Sequence, residues 1–328
     1  MTKKLTVNRL ISGGIITNYY CSSKCKHCSY SSSPDWDHDY MTGEMADKIF
    51  KILKRLGCHA VHIGGGEPLL LPEKLLQVLK SAKQNNIGIE YIETNASWFT
   101  DKTKAMSILT KLQENQVDTL LISMDPYHNE YIPFRKVKGL IEACRKANMG
   151  VFHWLSEFWA DLDSMDDQKT HSLEEYGEVF GQEYLTDLPG RYGLSLKGRA
   201  FHTYRSRIKV EPLQQILENS SPCRLLSGTH HFHVDLYGNF IPQSCPGFSI
   251  NLEDLAKGAD PEKYKILSEL SSSGIHSMLD VAISNYGYKP KSKYAGKCDL
   301  CYDIRRYLVL EKSHDLPDLQ PKGHYEFV

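Results

Sequence analysis

Three cysteines near the start of the chain have the spacing Cys21-x3-Cys25-x2-Cys28. Thiolates this close in sequence can bind three corners of a cubic iron–sulfur cluster and leave its fourth iron open to another ligand. A structural zinc ion is instead coordinated by four protein ligands, and His27 is a candidate for the fourth. Its ring would have to fold back beside Cys28. The spacing therefore favours an open iron–sulfur cluster and leaves zinc as the alternative.

A second set of four cysteines lies in the last third of the chain: Cys223, Cys245, Cys298 and Cys301. The Cys298-x2-Cys301 pair fits a four-cysteine zinc site as well as an iron–sulfur cluster. The remaining two cysteines, Cys58 and Cys144, occur in apolar helical patterns and are predicted to be core residues.

The composition narrows the classes of protein. The chain has 328 residues, nine of them cysteine, and a net charge of −1. It is too poor in cysteine for a disulfide scaffold, and it has no basic block for nucleic acid. No export signal and no apolar window of membrane-spanning length is found. We therefore expect a cytoplasmic protein that binds neither nucleic acid nor membrane.

Short apolar runs that predict strands recur roughly every thirty residues, with helical patterns between them. The predicted strands are residues 15–20, 60–63, 87–92, 117–122, 150–154 and 192–196. Helices are predicted to begin near Thr42, Pro72 and Asp101, and an apolar stripe over 137–144 predicts a fourth. Six such units form a parallel α/β sheet curled into a partial or full barrel. The segments that follow its strands, among them 21–28, 64–68, 94–97 and 123–128, should share one functional face.

The strand–helix alternation stops near residue 211. Residues 231–236 and 240–242 read as a β-hairpin around a Gly-Asn turn, and a helix is predicted near 261–271. The predicted organisation is a barrel over residues 1–210 and a small metal-binding domain over 211–328. By alternation, His231 and His233 share one face of the hairpin and are expected to be solvated or packed.

With these motifs, the chain resembles the radical S-adenosylmethionine (radical SAM) superfamily over roughly residues 10–200. Its signature CxxxCxxC matches the first cysteines, and its GGEP motif matches Gly65-Gly66-Glu67-Pro68. The resemblance implies a partial (βα)6 barrel that binds SAM. The implied SAM-binding residues are Gly65, Gly66, Glu67, Thr94, Asn95, Ser123 and Asp125.

The resemblance also implies a reaction. A 4Fe-4S cluster on Cys21, Cys25 and Cys28 would chelate SAM through its open iron, and one electron from a flavodoxin- or ferredoxin-type donor would cleave SAM. The resulting 5′-deoxyadenosyl radical would abstract hydrogen from the substrate. Glu67 would serve as a hydrogen-bonding acid rather than a general base.

The second cysteine set resembles the SPASM/twitch class of C-terminal extensions. Full SPASM domains carry seven ligands for two clusters, so four cysteines imply one auxiliary 4Fe-4S cluster. The resemblance thus implies two clusters in the whole chain.

The segments 28–34 and 123–128, with the terminal cysteine pair, resemble peptide-modifying members, especially peptide epimerases. Ribosomal peptide maturation, such as epimerisation or crosslinking, is the function they imply. An epimerase needs a free thiol as hydrogen donor. Here Cys245, a candidate cluster ligand, or Cys223 would have to be that donor, and the auxiliary cluster would then have three protein ligands. Only 20 residues precede Cys21, so no leader-binding domain is expected there.

Other side chains near predicted strand ends are candidates to face the substrate, with His128 and Arg199 foremost as catalytic candidates. The others are Tyr127, Arg135, His153 and Lys197. Two further hypotheses stay open: a radical SAM dehydrogenase or epimerase of a small aminosugar or cyclitol, and a noncatalytic protein stapled by zinc.

Overall fold

A computed structural model describes residues 5–7, 9–242, 245–313 and 315–328. Its centre is a run of parallel strands in chain order: β1 (Gly13–Ile16), β2 (Ala60–Gly64), β3 (Gly88–Thr94), β4 (Thr119–Ser123) and β5 (Gly150–Trp154). Each strand pairs in parallel with the next one. The α/β class is confirmed, and all five strands fall at or beside their predicted positions.

The connecting helices are α1 (Gly43–Arg55), α2 (Pro72–Gln84), α3 (Lys102–Glu114), α4 (Pro126–Asn129) and α5 (Phe134–Lys146). The sequence predicts all of them except the short helix α4. The Thr42 hydroxyl accepts a hydrogen bond from the Met45 backbone N–H, and Asp101 caps α3 in the same way. Pro72 occupies the first turn of α2, where no backbone donor is needed. Local capping signals therefore set the helix starts.

The predicted strand at 192–196 is wrong. After β5 the chain forms helices, namely α6 (Trp159–Asp163), α7 (Leu173–Phe180), α8 (Gln182–Arg191) and α9 (Gly198–Tyr204). Residues 192–197 are irregular, and Gly193 has a left-handed φ of 65° that interrupts extended backbone.

The sixth parallel strand comes from the C-terminal part of the chain. That part contains β6 (Glu211–Pro212), α10 (Leu213–Glu218), β7 (Phe232–Asp235), β8 (Asn239–Ile241) and β9 (Ile250–Asn251). Strand β7 pairs in parallel with β1 and antiparallel with β8, as expected for the predicted hairpin. The sheet order is β5-β4-β3-β2-β1-β7-β8-β9. The sheet thus continues across residue 210, and the division into domains at that point stays a prediction.

The last part of the chain is mainly helical: α11 (Leu252–Lys257), α12 (Lys265–Ser272), α13 (Ile275–Tyr286), β10 (Lys293–Tyr294), α14 (Lys297–Arg306) and α15 (Gly323–Glu326). Helix α14 carries Cys298 and Cys301 in its first turns, three residues apart and so on one face. Among the described residues, no helix combines the length and the apolar character that crossing a membrane requires.

Candidate active site and its two cysteine clusters

The first three cysteines lie on the loop that follows β1. Cys21 and Cys25 are buried, Cys28 is half-buried, and all three line one cavity of about 580 Å³. Burial raises the pKa of the Cys21 thiol to about 12, and the nearby Glu67 carboxylate adds to the shift. Burial also raises the pKa of Cys25, so the Cys21 and Cys25 thiols are protonated until a metal centre replaces their protons.

Arg199 holds this loop in place. Its guanidinium is buried and donates hydrogen bonds to the carbonyl oxygens of Cys25, Ser31, Ser32 and Phe327, at 2.7–3.2 Å. The Arg199 backbone N–H also donates to the Cys28 carbonyl at 3.0 Å. These bonds explain why a buried cation without a carboxylate partner in the described structure is tolerated. Arg199 is placed to position the loop, and it does not line the cavity as a catalytic group would.

The Gly65-Gly66 pair lets the loop after β2 lie directly against the backbone at Asn18 and Tyr20. A methyl group on Gly66 would lie 2.0 Å from the Tyr20 carbonyl oxygen, and Gly65 has a φ of 156°. The Gly66 N–H donates to the Asn18 carbonyl at 2.8 Å. Both glycines line the cavity, so the loop offers bare backbone to whatever binds there.

The Glu67 side chain turns away from the cavity and ties this loop to the end of β3. Its carboxylate accepts hydrogen bonds from the backbone N–H groups of Leu69 at 3.0 Å and Asn95 at 2.7 Å, and from the Thr94 hydroxyl at 2.9 Å. Burial raises the pKa of Glu67 to about 7, and these donors oppose the rise. Glu67 therefore holds the loops after β2 and β3 together, and its predicted role toward SAM stays a prediction.

The side chains after β3 and β4 face the same cavity. Thr94 and Asn95 line it, and the Asn95 amide lies 3.5 Å from the Cys21 sulfur. Ser123 and His128 line it from the next loop, whereas Asp125 lies behind them. Because the carboxyl ends of parallel strands share one edge, residues from three loops meet at the cysteines.

Asp125 orients His128. The carboxylate accepts from the His128 backbone N–H at 3.1 Å and contacts the ring Nδ1 at 2.7 Å. Burial opposes both charges, yet the pair lowers the pKa of Asp125 and raises that of His128. The centroid of the His27 ring lies 4.8 Å from the ring centroids of both His128 and Tyr127. Burial lowers the pKa of His27 to about 3. His128 thus presents a positioned, protonatable ring to the cavity.

The remaining candidates lie elsewhere. Tyr127 is fully buried and accepts a hydrogen bond from the Tyr204 hydroxyl, while Arg135 and His153 do not line the cavity. Lys197 lines a second cavity. The aromatic residues that form one wall of the first cavity were not predicted from the sequence, namely Tyr30, Tyr91, Trp154 and Tyr192. Only alternation along β5, with Phe152 and Trp154 on one face, pointed to one of them.

The four C-terminal cysteines surround the second cavity, of about 160 Å³. Burial raises the pKa of Cys245 to about 12 and that of Cys301 to about 11, and the neighbouring thiols of the set raise both further. Arg305 is buried beside them and lowers both values. Residues distant in the chain are thus brought together, and Cys58 and Cys144 are separately buried in the core, as predicted.

The distances between the thiols in each set help to distinguish a single zinc ion from an iron–sulfur cluster. Among the described residues, two groups of side chains bring three ligand atoms close enough for one metal ion, and neither includes a cysteine. Thiolates 2.3 Å from a tetrahedral zinc ion would be only about 3.8 Å apart. The wider arrangement of both cysteine sets suits the corners of a cluster better than a single ion.

Comparison with known proteins agrees with this site. Residues 15–155, which contain β1 to β5, match the Radical SAM superfamily. Residues 15–155 are therefore a Radical SAM domain, and the superfamily to which such domains belong uses SAM and a 4Fe-4S cluster.

One curated relative is YydG of Bacillus subtilis (strain 168), described as a peptide biosynthesis protein. It is 24% identical over 228 residues, covering 66% of this chain and 65% of YydG. The match therefore spans just under two thirds of the relative's length.

Three solved structures are similar to the chain at low identity. BtrN in complex with AdoMet and 2-DOIA is 15% identical, with a TM-score of 0.43 over 84% of this chain and 90% of BtrN. Native anSMEcpe with bound AdoMet is 15% identical, with a TM-score of 0.44 over 92% and 97%. Streptococcus suis SuiB bound to SAM is 17% identical, with a TM-score of 0.39 over 80% and 69%.

Replacing Arg199 with lysine should destabilise the cysteine loop. A single ammonium cannot reproduce the planar guanidinium that serves four carbonyls, so we expect a loss of about 3 kcal/mol in the free energy of unfolding. Urea titration and iron content after anaerobic reconstitution measure the effect. Arg207→Lys, at an exposed position one helical turn beyond α9, is the control. Equal stability and iron content in Arg199→Lys and wild type would contradict the positioning role.

Glu67→Gln should displace the Thr94–Asn95 segment, because an amide N–H₂ would then face a backbone N–H. At pH 8, above the Glu67 pKa, we expect a loss of about 1–3 kcal/mol in the free energy of unfolding and weaker SAM binding. Urea titration and equilibrium dialysis with SAM test this. Glu73→Gln changes an exposed carboxylate and should leave both values unchanged. An unchanged Glu67→Gln variant would mean that Glu67 is already protonated and donates a hydrogen bond.

Proposed function

We propose that Cys21, Cys25 and Cys28 hold the 4Fe-4S cluster and that SAM lies in the adjacent cavity. Support comes from the three thiols on one wall and the bare backbone of Gly65 and Gly66 on another. Thr94, Asn95 and Ser123 complete this side of the cavity, with Glu67 and Asp125 fixing their loops from behind. The cluster, once bound and reduced, supplies the electron that cleaves SAM to methionine and a 5′-deoxyadenosyl radical.

The protein's own part in that chemistry is positioning and exclusion. Arg199 and Glu67 fix the loops, and the aromatic wall limits water around the reacting groups. His128 places a protonatable ring beside the cavity, held by Asp125. A flavodoxin- or ferredoxin-type protein is the proposed electron donor.

The substrate class we propose is a peptide, modified by abstraction of a hydrogen atom. The observation that carries this proposal is the similarity to YydG, a peptide biosynthesis protein, over 228 residues. The cavity supports it, because Tyr91, Trp154 and Tyr192 offer ring faces on which peptide side chains can pack.

We further propose that the C-terminal cysteines hold one auxiliary 4Fe-4S cluster. All four side chains line the same cavity, including Cys245 beside Lys197. This placement favours Cys245 as a cluster ligand over a free hydrogen donor. Crosslinking or another reaction that needs no returned hydrogen is then better supported than epimerisation.

The peptide proposal is tested by following hydrogen. The reconstituted enzyme is supplied with SAM, a strong reductant and a deuterated peptide encoded near its gene. We expect deuterium in the 5′-deoxyadenosine, detected by mass spectrometry, because the radical takes its hydrogen from the substrate. Cys25→Ala should abolish SAM cleavage, whereas Cys144→Ala, at a buried position outside both sets, should retain it. Deuterium transfer from a labelled aminocyclitol and none from peptides would favour the small-molecule alternative.

The auxiliary cluster is tested by counting iron and sulfide. We expect about eight of each per polypeptide in the wild type, and about four in the double variant Cys298→Ala/Cys301→Ala, because a cube contains four irons. Cys58→Ala is the control and should keep the wild-type count. A wild-type count near four that does not change in the double variant would exclude the auxiliary cluster.

A further inference from the structure

Three histidines meet at the first cavity, which all three of them line. His62 lies on β2, His233 on β7, and His231 just before β7. One ring nitrogen of each lies within 4.8 Å of the other two. These residues take no part in the cysteine chemistry described above.

The strand register brings His62 and His233 to either side of the same residue of β1. Gly14 of β1 is the partner of His62 on one side and of His233 on the other, so the three residues form one row across the sheet. A methyl group on Gly14 would lie 2.2 Å from His62 Nε2 and 2.7 Å from His233 Cδ2. The two rings therefore occupy the space that a side chain at residue 14 would need.

A carboxylate lies beside the histidines. Glu93 Oε1 of β3 is 3.8 Å from His62 Nε2, too far for a hydrogen bond between them. Gly64 provides its space, since a methyl group there would lie 2.8 Å from Glu93 Oε2. Two glycines thus leave room for two imidazoles and one carboxylate, all of which line the same cavity.

We propose that His62, His231 and His233 form a site for one divalent transition-metal ion of the zinc type, with Glu93 beside His62 as the neighbouring carboxylate. The His62 and His233 Nε2 atoms are 3.3 Å apart, which matches the roughly 3.4 Å between two nitrogens bound at 2.0–2.1 Å to a tetrahedral ion. His231 is exposed to the cavity side and can close the remaining gap by rotating its ring. Imidazole and carboxylate together suit zinc, iron(II) and their neighbours.

A direct hydrogen bond between His62 and His233 is the simpler interpretation of that pair. It does not account for His231, whose ring lies parallel to His62 at 5.3 Å, or for the adjacent carboxylate. The cavity supplies an entry path, because His62, His231, His233 and Glu93 all line it. A bound ion would therefore contact the space proposed for substrate.

The test uses the full chain after anaerobic reconstitution of its clusters, dialysed against buffered Zn²⁺. We expect one zinc per polypeptide in addition to the iron, with Zn–N/O distances of 2.0–2.1 Å by X-ray absorption. His233→Ala should weaken zinc binding about 100-fold or more, since it removes a direct ligand. His230→Ala, at the exposed neighbouring position, should have no effect.

A second variant guards against misfolding. Gly14→Ala keeps all three histidines but places a methyl group against two of their rings, so it should also lose zinc. Iron content and circular dichroism report whether each variant is folded, and neither readout depends on SAM cleavage or on substrate. Failure to retain zinc, a Zn–S distance of 2.3 Å, or full binding by folded His233→Ala would each overturn the proposal.

Discussion

The buried guanidinium of Arg199 is the contact on which the site depends. It donates to the carbonyl oxygens of Cys25 and Ser31 in the loop after β1, and to that of Phe327 near the C-terminus. A loop that must present three thiols inward cannot pair its own carbonyls in a sheet, so those acceptors need a donor. One planar group with several N–H donors meets that need. Helix α9 and the end of the chain are thereby fixed to the loop after β1.

The first strand imposes a second constraint, because β1 has partners on both sides. Its sequence Gly-Gly-Ile-Ile is buried along its whole length. Gly13 lies against the β7 backbone, where a methyl group would be 2.4 Å from the Phe232 carbonyl oxygen. This close approach joins the C-terminal hairpin to the barrel sheet. Strand β7 lies between Cys223 and Cys245 in the chain, and its residue His233 lines the first cavity.

Local signals explain what the sequence could predict. The Thr42 and Asp101 caps and Pro72 set helix starts, and the apolar runs set the strands, because each depends on nearby residues only. The sixth strand could not be predicted this way, since β1 pairs with a strand 219 residues further along the chain, as Gly13↔Phe232 and Ile16↔Asp235 show. Local alternation at 192–196 was misleading for the same reason.

The site residues also differ in whether local sequence could predict their roles. The cysteine spacing and the Gly65-Gly66 pair indicated where the cavity lies, because they belong to short segments. The role of Arg199 depends on carbonyls more than 120 residues away in sequence, so its position near a predicted strand end suggested substrate contact instead. The meeting of His62 with His231 and His233 depends on strand order, which no local pattern reveals.

The two cysteine sets share one electrostatic feature. Each has one buried arginine beside it: Arg199 lowers the pKa of Cys25, and Arg305 lowers that of Cys245, although burial raises both overall. Within the described residues, neither arginine forms an ion pair with a carboxylate, and Arg305 instead donates to the Pro246 carbonyl and the Tyr325 hydroxyl. A buried cation without an anion is costly, and so is a buried thiolate. Both costs fall when thiolates form around a metal centre beside the arginine, so the fold is arranged for the charge that its proposed clusters would bring.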